Sequence, residues 1–291
     1  MSRIEGESLP EENAKRQREE PGHAPLNRTG VAERIARISI PVVMLAIVIL
    51  VWHGYVTINE VPHYILPSPV LVAQSLYTDW PILFRALLNT LEITLSALFL
   101  ALVGGIVLAL VMAQSRLIEL AVYPYAVILQ VTPVVAVAPL IIIYAPSTGV
   151  ALLICAFLVA FFPILSNTLQ GLKSTDHHLL DLFELYGAGR LQTLLLLKVP
   201  SALPYFLTGL KIAGGLSLIA AIVAEFVAGS AGVESGLAYR LLESQFRLNI
   251  PRLFAALFLL SVTGVLIFAC TSLAAHLLLR RWHESAVRRE D

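Results

Sequence analysis

Residues 253–279 read LFAALFLLSVTGVLIFACTSLAAHLLL, a run with no Asp, Glu, Lys or Arg. As a helix this run is about 40 Å long at 1.5 Å per residue, enough to cross a hydrocarbon core of about 30 Å. A helix at the surface of a soluble protein keeps a polar face toward water, and here the apolar side chains surround the axis. Inside lipid the backbone must satisfy its own hydrogen bonds, and a continuous helix does so. Five further stretches have the same character: residues 38–56, 87–112, 120–144, 150–169 and 203–227. The expected fold class is therefore all-α, a polytopic membrane helical bundle of six transmembrane helices. Bulk composition agrees, with 57% hydrophobic residues, 14% charged residues and a mean hydropathy of +0.80, against about 25% charged in soluble domains. Neither internal repeats nor low-complexity tracts are evident.

The formal net charge is zero, yet Lys and Arg are unevenly distributed. With both termini on one side, fifteen of the twenty fall there: seven in the N-terminal arm, Arg116, Lys173, Arg190, Lys198 and four after residue 279. Arg85, Arg240, Arg247 and Arg252 fall opposite, and Lys211 lies within a span. Cytoplasmic flanks carry the basic excess, so both termini are expected on the cytoplasmic side. Residues 1–30 are too charged and Pro-rich to fold, and no apolar run follows closely enough to make them a cleavable signal; they are expected to form a disordered cytoplasmic tail. Residues 31–291 are expected to form the membrane domain. Cys155 and Cys270 both fall in spans, where they read as small apolar packing residues.

Residues 171–202 make the longest loop on the cytoplasmic side. Within it, Ser174–Pro200 reads STDHHLLDLFELYGAGRLQTLLLLKVP. The Ser174-Thr175-Asp176 cluster is a helix N-cap, and Leu179, Leu182, Phe183 and Tyr186 then recur at three- and four-residue spacing. His177, Asp181 and Glu184 form a polar stripe, and Gly187 and Gly189 supply a stop. A second run over 190–199 is expected to end at Pro200 and Pro204, because proline lacks the backbone donor and restricts the residue before it. The apolar face of the first helix needs cover from the membrane surface, its own bundle or a partner protein.

Asp181-Leu182-Phe183, Gly187 and, after nine further residues, Leu197-Lys198-Val199-Pro200 resemble the signature of binding-protein-dependent ABC transporter permeases, with Asp for the usual Glu and Leu-Phe for the usual Ala-Ala. Leu66-Pro67-Ser68-Pro69, Thr132-Pro133-Val134-Val135-Ala136-Val137-Ala138-Pro139-Leu140, Gly209-Leu210-Lys211-Ile212-Ala213 and Ile222-Val223-Ala224-Glu225-Phe226 extend the resemblance to the nitrate, sulfonate and taurine branch, from about Leu66 onward. The resemblance implies a MetI-like permease fold, a second permease copy and a cytoplasmic ATPase dimer, with a periplasmic or lipid-anchored binding protein docking on loops 53–86 and 228–252. It also implies that the loop helix couples to the ATPase through Asp181, Glu184, Gly187, Arg190 and Pro200. For Gly187 a plain C-cap is an equal reading, and for the acidic residues a solvated face is the rival one.

Pro124, Pro133 and Pro139 fall in the third span and Pro163 in the fourth, where each removes a helix hydrogen bond and is expected to kink its span. Gln130, Thr132 and Asn167 sit at those bends as possible pathway-lining groups. Lys211 and Glu225 are ionisable residues within a span, read either as snorkelling or structurally paired groups or as pathway residues, with a cationic Lys211 suiting an anionic solute. Gly104-Gly105 and Gly214-Gly215 read as close-packing positions.

No Gly-x-x-x-x-Gly-Lys-Ser/Thr loop is present, so nucleotide phosphates are not cradled by this chain. Gly229-Ser230-Ala231-Gly232 lacks the context of a nucleophile elbow, and His177-His178 lacks further ligands at metal-binding spacing. The chain is thus expected to be no enzyme, to carry no cofactor or metal, and to meet lipid but no nucleic acid. Two other readings stay open. One is a permease for thiamine-precursor pyrimidines or another small solute; the other is a secondary transporter working alone, which needs intramembrane ionisable relays or inverted repeats.

Overall fold

The computed structural model describes residues 29–229 and 235–279. The expected disordered tail lies almost wholly outside the described residues, as do the basic residues after 279. Among the described residues the fold is all-helical: α1 (Thr29–Ile58), α2 (Pro69–Thr78), α3 (Trp80–Gln114), α4 (Arg116–Val131), α5 (Val134–Tyr144), α6 (Thr148–Lys173), α7 (His177–Leu185), α8 (Arg190–Thr193), α9 (Val199–Ala228), α10 (Leu237–Phe246) and α11 (Ile250–Leu279). Two compact units result, one ending at Tyr55 and containing most of α1, the other running from Val56 onward.

In the second unit α6 packs against both α3 and α9. Small residues make this possible, because between helices in lipid the attraction comes from close packing and not from an escape from water. Ala97, Ala156, Ala220 and Ala221 are buried together where the three helices meet. A Cβ at Gly105 would stand 2.8 Å from Ile164 Cγ2, and one at Gly209 would stand 2.7 Å from the Pro163 carbonyl oxygen. Of the expected close-packing pairs, Gly105 and Gly214 make tight approaches, whereas Gly104 meets ordinary contacts and Gly215 faces open space.

Among the described residues five helices are long and apolar enough to cross a bilayer, and α4 with α5 makes a sixth crossing if the bent pair counts as one. The third expected span, 120–144, is therefore a broken element: its two helices meet at 100° around Thr132-Pro133. The Thr132 amide donates to the Ile128 carbonyl at 3.1 Å and its hydroxyl donates to the same oxygen at 2.7 Å, closing α4 where Pro133 offers no donor. Helices α4, α5 and α6 continue through Pro124, Pro139 and Pro163, so of the four prolines expected to bend a span only Pro133 ends a helix.

The loop over 171–202 also differs from its expected form. Helix α6 continues to Lys173, and the run from Arg190 does not end at Pro200 or Pro204. It passes through a π turn, Leu194–Lys198, directly into α9, making one helical element from Arg190 to Ala228. The π turn shifts the backbone ladder by one residue, with the Val199 amide donating to Leu194 O. Pro200 then falls in the first turn of α9, and the Ser201 hydroxyl donates to Leu197 O at 2.8 Å, occupying a carbonyl near the disrupted register.

At the opposite end of the unit, two stretches expected as loops contain helices. Ser68 Oγ accepts from the Leu71 amide at 3.3 Å, capping α2 ahead of Pro69. Leu83, Ala86, Leu237, Ala255, Ala256, Leu259 and Leu260 form a buried cluster joining the starts of α3, α10 and α11, with Val72 and Leu76 of α2 against it.

Candidate functional site

Helix α7 hangs between the C-terminus of α6 and the start of α8. Asp176 Oδ1 accepts from the His178 amide at 2.9 Å, which fixes its first turn. At its end the Gly187 amide donates to Glu184 O and the Ala188 amide donates to Phe183 O, both at 2.9 Å. These are the paired bonds of a Schellman cap, and Gly187 has the left-handed φ of +71° that the cap requires. A Cβ at Gly187 would meet nothing within 4 Å, so within this chain the residue is a C-cap and not a packing contact. No residue of α7 is buried; Leu182 is 44% exposed, Leu185 84% and Tyr186 83%. Asp181, Glu184 and Arg190 are exposed, while Pro200 is half-buried and lies about 15 Å further along the element that starts at Arg190. The first four expected coupling residues are thus gathered at α7 and its exit, and Pro200 stands apart at the foot of α9.

Lys173, at the end of α6, forms an exposed ion pair with Glu119 in the first turn of α4. Gln130 is exposed in the last turn of α4, and Thr132 sits at the break with its hydroxyl turned back on its own helix. Asn167 is half-buried on α6, donating to Pro163 O at 2.8 Å, and a Cβ at Gly209 would stand 3.0 Å from its Cβ. Tyr205, Thr208, Ile212, Ile219 and Phe226 form an exposed stripe along α9. Lys211 is half-buried beside that stripe, with neither an ion pair nor a hydrogen bond among the described residues.

Glu225 has a different setting. It is 3% exposed, and its Oε1 accepts from Thr90 Oγ1 of α3 at 2.8 Å while Oε2 accepts from the Ala238 amide of α10 at 2.9 Å. Thr90 Oγ1 in turn accepts from the Leu237 amide at 2.9 Å. A Cβ at Gly236 would collide with the Glu225 carboxylate. Nearby, Arg252 of α11 grips Asp79 with two bonds, Nε to Oδ2 at 2.8 Å and an Nη to Oδ1 at 2.7 Å, and Ser75 Oγ adds a third to Oδ2 at 3.0 Å. Glu243 pairs with Arg240 at 2.8 Å and with Arg247 at 2.9 Å. The Arg252 guanidinium holds the Asp79 carboxyl below its ordinary pKa, and hydrogen bonding from Arg240 does the same for Glu243.

Thr90, Gly236, Asp79 and Arg252 carry no local signal of these roles, because their partners are remote in sequence. Glu92, an acidic residue inside the expected second span, is exposed on α3. Groups of three or more His, Cys, Asp or Glu placed to hold a metal are absent among the described residues.

Residues 101–284 match the family described as "Binding-protein-dependent transport system inner membrane component". The chain is 35% identical over 240 residues to the formylaminopyrimidine transport permease protein ThiX of Halalkalibacterium halodurans, covering 82% of this chain and 94% of that one. It is 27% identical over 282 residues to the putative aliphatic sulfonates transport permease protein SsuC of Bacillus subtilis, covering 96% of each. A crystal structure of an amino acid ABC transporter with histidines shares the fold, with a TM-score of 0.56 at 16% identity over 72% of this chain and 97% of that one. The chain therefore belongs to the binding-protein-dependent inner-membrane components, the permease subunits of ABC importers, in which ATP hydrolysis takes place in a separate subunit.

Proposed function

We propose that two copies of this chain enclose a solute pathway across a bacterial inner membrane, with a cytoplasmic ATPase gripping α7 of each copy. The observation that carries this reading is α7 itself: a helix fixed at both ends by its caps, with leucine and tyrosine side chains outward and none of its residues buried. Such a face is stable in water only when another surface covers it. Asp181, Glu184, Gly187 and Arg190 lie at or beside that contact, and Pro200 supports the foot of the helix that follows. The basic excess on the α7 side of the chain supports a cytoplasmic location for that end and for both termini. The α2 and α10 end then faces outward, where a periplasmic or lipid-anchored binding protein delivers the solute.

The pathway follows the exposed stripe of α9 and the bend between α4 and α5, with Lys211, Gln130, Thr132 and Asn167 as its polar groups. An unpaired cation favours a small solute with an anionic group, such as nitrate, a sulfonate or the sulfonate end of taurine. The 35% identity to the formylaminopyrimidine permease favours a thiamine-precursor pyrimidine as the second reading.

Co-purification with the ATPase tests the docking role. Leu182→Asp with Leu185→Asp abolishes it while leaving the thermal midpoint of the isolated chain unchanged, since neither side chain is buried. Retained ATPase binding would refute the assignment, as would solute uptake by the purified chain in liposomes without ATP. For the solute, calorimetric titration of the importer's binding protein with nitrate, taurine and formylaminopyrimidine separates the two readings. Lys211→Met lowers uptake of an anion and spares that of a neutral pyrimidine.

A further inference from the structure

We infer that Glu225 is a positioning residue that ties α10 to the element running from Arg190 to Ala228, so that the solute-delivery end and the ATPase end of the importer move together. This rests on the docking sides proposed above. The start of a helix leaves amide donors without partners, and a Ser, Thr or Asp just before the helix ordinarily takes them up. At α10 that position is Gly236, which has no side chain to offer and no room for one. The Leu237 amide is instead taken by Thr90, from α3, and the Ala238 amide by Glu225, from α9.

Capping from a distance changes the mechanics. A locally capped α10 can shift without disturbing the spans, whereas this one is bound to two of them through a buried carboxylate. Glu225 lies one turn from the end of α9, where the Gly229 amide closes the helix onto Glu225 O at 3.0 Å. About 53 Å from Glu225 at 1.5 Å per residue, the same helical element begins at Arg190, three residues after the Gly187 cap of α7. Moving α10 outward requires either that α9 follow or that a buried carboxylate lose its donors, and the second course is the costlier. The Glu225–Thr90 pair therefore converts a push on α10 into a displacement of the element that ends beside α7.

The test uses the assembled importer, this chain with its ATPase and its solute-loaded binding protein, in proteoliposomes. The variants are Glu225→Gln, Thr90→Val and Thr90→Ser, and both basal and binding-protein-stimulated ATP hydrolysis are measured. Thr90→Val and Glu225→Gln are expected to lower the stimulated increment at least fivefold with basal hydrolysis within twofold of wild type. Thr90→Ser restores the hydroxyl and is expected to keep the increment. An unchanged increment in Thr90→Val and Glu225→Gln overturns the inference. So does a parallel fall of basal and stimulated activity that Thr90→Ser shares, or failure of both Thr90→Val and Glu225→Gln to assemble, since either marks a scaffold residue. Loss of the docking reading registers separately, as ATPase binding that survives the α7 substitutions.

Discussion

Gly187→Ala isolates the conformational contribution of one residue at the end of α7. The backbone there has φ +71°, and a Cβ would meet no atom within 4 Å, so any effect arises from the left-handed conformation and not from a clash. That conformation costs an L-residue about 1–2 kcal/mol, and 1 kcal/mol lowers the population of the capped end about fivefold. Asparagine tolerates the conformation better than alanine, and a β-branched residue tolerates it least. The assay is amide exchange at Ala188, whose N–H is bonded to Phe183 O across the turn. Protection should fall in the order Gly, Asn, Ala, Val, with the Gly187→Ala loss near fivefold. Co-purification with the ATPase should fall in the same order. The thermal midpoint should stay put, because α7 buries no residue. Equal protection in Gly187→Ala and wild type, or equal losses for Asn and Val, would show that the turn does not depend on the left-handed geometry.

Two further outcomes follow from the packing. The Asp79–Arg252 pair has a depressed Asp79 pKa, so its stabilisation is present in full above the ordinary value of 3.8 and is lost as pH falls through the lower folded value. Asp79→Asn should lower stability in detergent by about 1–3 kcal/mol at pH 7, with the gap to wild type closing below pH 3.8, and a gap independent of pH would contradict the pairing. Gly209→Ala should destabilise by about 1–3 kcal/mol, because its Cβ would stand 2.7 Å from the Pro163 carbonyl, whereas Gly215→Ala should be neutral. Thermal unfolding that ranks the two glycine variants equally would refute the close approach of α6 and α9.

The spans were legible because an apolar run of twenty residues is a one-dimensional signal, and α7 because its caps, Asp176 and Gly187, are local chemistry. Features that depend on a second segment were not legible. Pro133 and Pro163 look alike in sequence, yet only the first ends a helix. Thr132 closes α4 beside Pro133, while Pro163 is buried where α6 packs on α9. Pro200 likewise read as a stop, but the helix runs on through it by way of a π turn that shifts the hydrogen-bond register just before it. Helix α10 was hidden because its caps come from Thr90 and Glu225. For the same reason Glu225, in the sequence only a charge near a span end, had no visible partner.

The same contacts fix a depth scale that separates the two ionisable residues of α9. Thr90 and Glu225 are bonded and therefore level, and Glu92 lies about 3 Å further along α3. From Ile93 to Gln114 no charged residue occurs, a stretch of about 33 Å, close to the thickness of the hydrocarbon core. Glu92 then marks one boundary, and the ion pairs of Asp79, Arg252 and Glu243 stand beyond it in the interface or in water. Lys211 lies fourteen residues from Glu225, about 21 Å from it, which places it about 18 Å into the band and about 15 Å from the far boundary. An unpaired ammonium at that depth is stable only beside water, a counter-charge or a passing anion. That depth is the physical ground for assigning Lys211 to the proposed pathway, while Glu225, with both carboxylate oxygens already taken, is assigned to the mechanical link.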